Sequence, residues 1–315
     1  MKKYLLFLVL LSSARVMGQS SQPVPQFVKY DAYYRDIQQW LQSWKQEVPH
    51  TTLGTIKSGT SKLLDDAAPE SIVVKTINAA QKALDDEAVF EKRKGGVYIV
   101  GRLMATEINS VITIDFDLIG TAFSISADGV CVSNYHVLKN IFHPEDPESK
   151  KDSLYFIITA GKKLYLLDKV LAYSRNNDLA VFKVNMQGDK LDPVPLGKPA
   201  NIGATVYCLS NPGAHFYSFS KGIVARNTEI DAIDAGPQYN PKGRPPIRME
   251  ITADYGVGSS GGPILDRFGN LAGIVISTTP IAYTEAAGDG KQTGYIQMMV
   301  KNTAPVKALT DLLKR

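Results

Sequence analysis

From Gly96 to Arg315 the chain repeats one kind of segment. Short runs rich in β-branched and aromatic residues recur: VYIVGRL, VITIDFDLIGTAFSIS, GVCVSNYHV, SLYFIITA, KLYLLDKVLAYS, LAVFKV, ATVYCLS, IRMEITAD, LAGIVIS and GYIQMMV. Gly, Asn, Asp and Pro separate many of them. Side chains of this kind pack well on a pleated surface, and runs of this length broken by turn residues spell an all-β sandwich or barrel. Only the end departs from the pattern, where Ala304–Lys314 reads as a short amphipathic helix. No repeat of solenoid or propeller length is present.

The first third of the chain is different. Between residues 27 and 48 apolar residues recur at Phe27, Tyr30, Tyr33, Ile37, Trp40, Leu41, Trp44 and Val48, the spacing of one helical stripe, and Pro49 ends it. Polar, Gly-containing sequence runs on to about Asp66. A second helix is predicted from Pro69 to about Lys92, with Val73, Ile77, Ala80, Leu84 and Ala88 on one face and Lys92-Arg93-Lys94-Gly95-Gly96 closing it. The expected organisation is therefore a leader at residues 1–18, a helical extension over 19–95 and a β domain over 96–315.

The leader is read from Lys2-Lys3, the apolar run Tyr4–Leu11, and small residues up to Val16-Met17-Gly18. That is the layout of a secretory signal peptide cut after Gly18. The apolar run is too short for a membrane span, which takes about 20 residues, so no stable membrane anchor is expected after cleavage. The protein is placed in a periplasm or outside the cell. Removing residues 1–18 takes away Lys2, Lys3 and Arg15, so the net charge falls from +4 to +1. Such a balance gives no argument for a nucleic-acid partner. Two cysteines, Cys131 and Cys208, lie in apolar runs and read as buried small hydrophobes rather than a disulfide scaffold.

The sharpest chemical motif is Gly258-Ser259-Ser260-Gly261-Gly262-Pro263. A serine hydroxyl attacks only when a base takes its proton, and the oxyanion that forms needs backbone N–H donors nearby. Glycines on both sides allow a tight turn that exposes the hydroxyl and aims those amides together; the same letters also suit a plain flexible turn. A G-x-S-x-G elbow of the α/β-hydrolase kind is excluded, because its histidine follows the serine and the four histidines here, His50, His136, His143 and His215, all precede Ser260. His50 lies in a linker, and His143 and His215 lie in loops. His136 ends a strand-like run, as a general base or as a simple strand-end histidine. Asp178, just before LAVFKV, is placed to accept an imidazole N–H, or to serve only as a turn residue.

SNYHVL, NDLAVFKV and GSSGGPILDRFGNLAGIV, in that order, resemble the chymotrypsin-like serine proteases, and among them the bacterial HtrA (Deg) branch. LGKPANIGATVYCLSNPG followed by FSKGIVA is similar to the same branch. The resemblance covers about Leu118 to Leu312. It implies two six-stranded β-barrels with the site between them, His136 and Asp178 on the first and Ser260 on the second. It also implies an oxyanion hole from the N–H groups of Gly258 and Ser260. The branch usually carries a PDZ domain after the protease, and this sequence shows none after its last helix. Ser259 stands where digestive trypsin-like enzymes have an Asp, so their activation switch is not implied and its hydroxyl is expected to be dispensable. The extension has no counterpart in the resemblance.

Two readings of the specificity pocket follow. Asp254, six residues before Ser260, matches the carboxylate that binds Arg or Lys in trypsin-like enzymes, and Gly294 matches a position kept small for long side chains. Alternatively Asp254 is structural and the pocket is lined by the strand around Ile276 and Ser277, as suits small aliphatic residues. The function expected is a serine endopeptidase acting on polypeptides through an acyl-enzyme, with no cofactor and no metal. The alternative is a pseudoprotease or peptide-binding protein whose extension is an interaction module.

Overall fold

The computed structural model describes residues 27–44, 52–67, 73–108, 111–145, 152–230, 239–286 and 292–314. The leader, at residues 1–18, lies outside the described residues.

Twelve strands form two closed barrels of six. The first contains β1 (Val97–Ile108), β2 (Val111–Ser124), β3 (Val130–Ser133), β4 (Asp152–Ile158), β5 (Leu164–Ser174) and β6 (Leu179–Val184), ordered β1-β2-β3-β6-β5-β4. The second contains β7 (Thr205–Ser210), β8 (Ser218–Glu229), β9 (Ile247–Ile251), β10 (Pro263–Asp266), β11 (Leu271–Ala286) and β12 (Gln292–Pro305), ordered β10-β11-β12-β9-β8-β7. All of these pairs are antiparallel, and closure leaves neither sheet with an open edge along its paired length. The double barrel implied by the sequence motifs is the architecture found.

The near-continuous apolar runs have a simple cause, since several strands are buried on both faces. In β1, Tyr98 and Val100 point into the first barrel's own core, while Val97, Ile99 and Leu103 face a second cluster shared with the other barrel. In β6, Phe182 faces inward and Val181 outward. The shared cluster also takes in Tyr207, Leu209, Leu265 and Ile274 of the second barrel. Onto it folds α5 (Val306–Leu313), whose Val306, Leu309 and Leu312 are buried; the helix leaves the second barrel and also touches β5 of the first. Cys131 and Cys208 are free thiols buried in different barrels, and burial raises both pKa values, that of Cys208 to about 12.

The extension differs from its sequence pattern. Helix α1 (Tyr30–Trp44) has the predicted stripe, and Tyr33, Ile37 and Leu41 are buried in the shared cluster. Tyr33 packs edge-on against Phe216 of the second barrel at 5.2 Å and donates from its hydroxyl to Thr159 O of the first at 3.0 Å. A short helix, α2 (Thr52–Thr60), occupies sequence expected to be irregular, with Leu53 and Ile56 in the first barrel's cluster. The helix predicted over Pro69–Lys92 is reduced to α3 (Asp86–Arg93), capped by the Asp85 carboxylate accepting from Ala88 N. Residues 73–84 are not helical. Their backbone is engaged elsewhere: Ala80 N and O bond the Asn270 side chain at 2.7 and 3.0 Å, and Leu84 N bonds Arg267 O at 2.9 Å. β-branched Val73, Val74, Thr76 and Ile77 are weak helix formers, and these tertiary bonds prevail over the stripe.

Between α2 and that stretch, Asp65 and Asp66 grip the loop Arg175–Asn177. Arg175 N donates to Asp65 Oδ1 at 2.9 Å and Asp66 N to Tyr173 O at 2.8 Å. Asn240 Nδ2 and Arg244 N of the second barrel donate to the Asp65 and Asp66 carboxylates at 2.7 and 2.6 Å. Asn176 in turn donates to the carbonyls of Asn240 and Arg244, and Asn177 Oδ1 accepts from Ile247 N. Three separated segments meet on the loop that leads into Asp178.

Candidate active site

β3 and β6 pair antiparallel, with Ser133 opposite Ala180. His136 follows the end of β3 by three residues and Asp178 immediately precedes β6, so the pairing itself brings them together. Asn134 Nδ2 and Tyr135 N both donate to Asp178 O, at 2.9 and 3.2 Å. His136 N donates to Asp178 Oδ1 at 2.9 Å, and His136 Nδ1 lies 2.7 Å from Asp178 Oδ2. An ionised carboxylate only accepts, so Nδ1 carries the proton in this bond and Nε2 keeps a free lone pair. Asp178 sits at φ +53°, a left-handed conformation that Asp tolerates better than most side chains, and its side chain is 6% exposed.

Burial pulls the His136 pKa down, but the Asp178 hydrogen bond and charge outweigh it, so the net position is above the ordinary histidine value. The imidazole is still 46% exposed. Arg248, whose own pKa burial lowers, lies within range of the Asp178 charge and donates to Asn176 O at 3.0 Å.

Ser260 lies in the turn before β10, between glycines at φ +93° (Gly258) and +83° (Gly261). A Cβ on Gly258 would stand 2.7 Å from Asn211 O, and one on Gly261 would collide with Ser133 Oγ, so both close approaches require glycine. The backbone bonds of this turn among the described residues use the amides of Ser259, Gly261 and Gly262. None uses the amides of Gly258 or Ser260.

The turn is fixed to the first barrel through Thr121. Thr121 N donates to Ser260 O and its hydroxyl to Gly258 O, both at 2.8 Å, while Asn211 N donates to that hydroxyl at 3.1 Å. Gly120 is wedged between the two halves: a Cβ there would be 3.0 Å from Val137, the residue after His136, and 3.1 Å from Ser260 O. Val137, the residue after His136, and Ser260 O thus both lie against Gly120, where the Ser260 turn meets the first barrel. The family model of the trypsin-like peptidase domain matches residues 120–274, a stretch that holds His136, Asp178 and Ser260.

The chain carries a trypsin-like peptidase domain. Its curated relatives include Protease Do-like 5, chloroplastic, of Arabidopsis thaliana, 27% identical over 50% of this chain and 48% of that protein. A Serine protease HtrA-like of Staphylococcus epidermidis is 32% identical over 38% of this chain and 21% of its own length. A Probable periplasmic serine endoprotease DegP-like of Brucella suis biovar 1 is 30% identical over 49% and 26%. The chain spans about half or less of the length of these relatives. Among solved structures, an HtrA-type protease AlgW with decapeptide superposes with a TM-score of 0.54 at 17% identity, covering 73% of this chain and 67% of that one, a likeness of fold.

Other candidate residues are placed differently. Asp254 does not lie at the base of a desolvated slot: its side chain is 87% exposed and its carboxylate meets Lys301 Nζ at 2.8 Å. A carboxylate already paired and turned to solvent makes a poor receptor for a basic side chain. Gly294 lies opposite Thr284, far out on the β11–β12 hairpin and well beyond the rung where Ser277 pairs with Asn302, and a methyl group on it would meet no atom within 4 Å. It is not beside Ser260, because the hairpin extends past the barrel. Ile276 is buried and Ser277 exposed, and the Ser277 carbonyl accepts from Tyr255 OH at 2.9 Å.

His143 is half-buried rather than solvated, its Nε2 2.7 Å from Tyr135 OH; His215 is exposed in its loop, and His50 lies outside the described residues. Among the described residues no group of three or more His, Cys, Asp or Glu side chains could hold a metal ion. Sequence reasoning missed Thr121 and Asn211 as supports of the peptidase domain's site. It also assigned Ser259 no role, whereas this serine is fully buried and its hydroxyl accepts from Ser210 Oγ at 2.9 Å and from Gly256 N at 3.3 Å.

Proposed function

We propose that the chain is an exported serine endopeptidase that hydrolyses peptide bonds through an acyl-enzyme. The observation that carries this reading is the His136–Asp178 pair, bonded at two points and held across one glycine from the Ser260 turn. Ser260 Oγ attacks the scissile carbonyl carbon as His136 Nε2 takes its proton. Asp178 holds the imidazole tautomer and stabilises the imidazolium. The uncommitted amides of Gly258 and Ser260 receive the oxyanion. The imidazolium then protonates the leaving amine, and a water deprotonated by the same nitrogen releases the acid and restores Ser260. Residues 1–18 serve as the export signal, in keeping with a periplasmic DegP-like relative. Among the described residues no helix is long and apolar enough to cross a membrane.

The test is covalent labelling by a fluorophosphonate together with hydrolysis of an unstructured protein substrate. Labelling should map to Ser260 and vanish in Ser260→Ala, whose hydrolysis should fall about 10⁴–10⁶-fold with an unchanged thermal transition. Hydrolysis within tenfold of wild type would end the nucleophile assignment, and a protein that neither labels nor cleaves would make the fold a binding module.

A further inference from the structure

The second barrel carries, beside the nucleophile turn, a lysine that the proposed reaction does not use. Lys301 of β12 pairs with Thr278 of β11 on one side and with Ile251 of β9 on the other. Ile251 is a core residue, and residues directly opposed in a sheet share a face, so Lys301 projects toward the barrel mouth. Only 12% of its side chain is exposed. The ammonium donates to Tyr255 O at 2.7 Å, meets Asp254 Oδ1 at 2.8 Å and stands 5.1 Å from the Tyr255 ring centroid.

This ammonium belongs to the same wall as Ser260. Tyr255 begins the segment that ends at the nucleophile, and its hydroxyl lies 2.9 and 2.8 Å from the carbonyls of Ser277 and Asn302, its one proton shared between them, which ties that segment to both strands. Strand β11 also grips the nucleophile turn, since Gly261 N donates to Val275 O and Val275 N to Gly262 O. From Val275 to Thr278, the partner of Lys301, is roughly 10 Å at about 3.3 Å per residue, the scale of one substrate residue with its side chain.

The partners of Lys301 are unequal. Tyr255 O is fixed by the backbone, whereas Asp254 is almost wholly in solvent and held by a weak, screened pair. A carboxylate arriving from the substrate side, shielded by the bound peptide, has the advantage over it. A basic side chain would meet like charge, and an apolar one would leave the ammonium desolvated with nothing gained. We propose that Lys301 determines specificity by binding the carboxylate of an Asp or Glu immediately before the scissile bond, with Asp254 as an internal stand-in until substrate arrives. This rests on the proposed peptidase activity of Ser260.

The test uses the full chain and internally quenched peptides that differ only in the residue before the scissile bond: Glu, Asp, Leu or Arg. Fluorophosphonate labelling of the wild type comes first; failure there counts against the peptidase reading, not against Lys301. With labelling established, kcat/KM for Glu or Asp should exceed that for Leu at least tenfold and that for Arg by more. Lys301→Met should bring the Glu-to-Leu ratio near one, and Lys301→Glu should favour Arg. Asp254→Asn, which removes the competing charge, should raise kcat/KM for Glu severalfold. A labelled wild type that prefers Leu or Arg overturns the proposal, as does a Glu preference that survives Lys301→Met; the wild-type profile decides even if both Lys301 variants misfold.

Discussion

At the scale of single residues, the raised pKa of His136 links activity to pH. Its paired, charged form contributes to stability in full below the ordinary histidine value of about 6.5 and loses that contribution as pH rises through the raised folded value. The proposed mechanism needs His136 as a neutral base, so hydrolysis should climb over the window in which this pairing fades. The pH profile of kcat/KM should therefore show a lower limb with an apparent pKa above about 6.5. Asp178→Asn should lower kcat about 10⁴-fold; a lower limb unmoved by that change would mean that another group titrates. A second prediction concerns Thr121. Thr121→Val keeps the shape but removes the hydroxyl that donates to Gly258 O and accepts from Asn211 N. Leaving those groups unpaired should cost about 1–3 kcal/mol and lower kcat more than it raises KM, measured with one peptide alongside thermal melting. The three proposed triad residues stand out in the sequence because their neighbours in the chain, turn glycines and strand ends, are part of the motif. Thr121 does not, because its role arises from an amide and a carbonyl that lie some 90 and 140 residues away. The choice between the two readings of Asp254 was out of reach for the same reason, since the lysine that meets it is on another strand.

At the scale of elements, runs of β-branched and aromatic residues gave most of the strands, and β10 was not among them. β10 is four residues, Pro263 to Asp266, hidden behind the glycines of the nucleophile turn. The helical stripe at Tyr30–Trp44 was legible since its face is buried as a helix face; the stripe at 73–84 misled because Asn270 and Arg267 claim that backbone. The contact of Asp65 and Asp66 with the loop before Asp178 ties the extension to the site. Asp65→Ala with Asp66→Ala removes three acceptor contacts to backbone and Asn240 donors. The double variant should lose about 2 kcal/mol and melt roughly 5 °C lower. Its kcat should fall while KM for a short peptide changes little. A variant that melts lower with an unchanged kcat would confine the extension to a stabilising role.

At the scale of the whole molecule, no strand pairing crosses between the barrels among the described residues, yet the large apolar cluster belongs to both. Calorimetry should therefore show one cooperative transition rather than two, and Leu309→Ala in α5, at the heart of that cluster, should cost about 2–5 kcal/mol without splitting it. Two resolved transitions would mean that each barrel's own core suffices. The docking of α1 across both barrels sets an order of events during synthesis. Tyr33, Ile37 and Leu41 leave the ribosome early, but Phe216, which Tyr33 packs against, follows about 180 residues later. At roughly 5–20 residues per second the apolar stripe waits on the order of 10–40 s for Phe216, and longer for Leu265 and Ile274. The α1 stripe is thus made well before its partners in the second barrel, and until they arrive it must be kept from other surfaces.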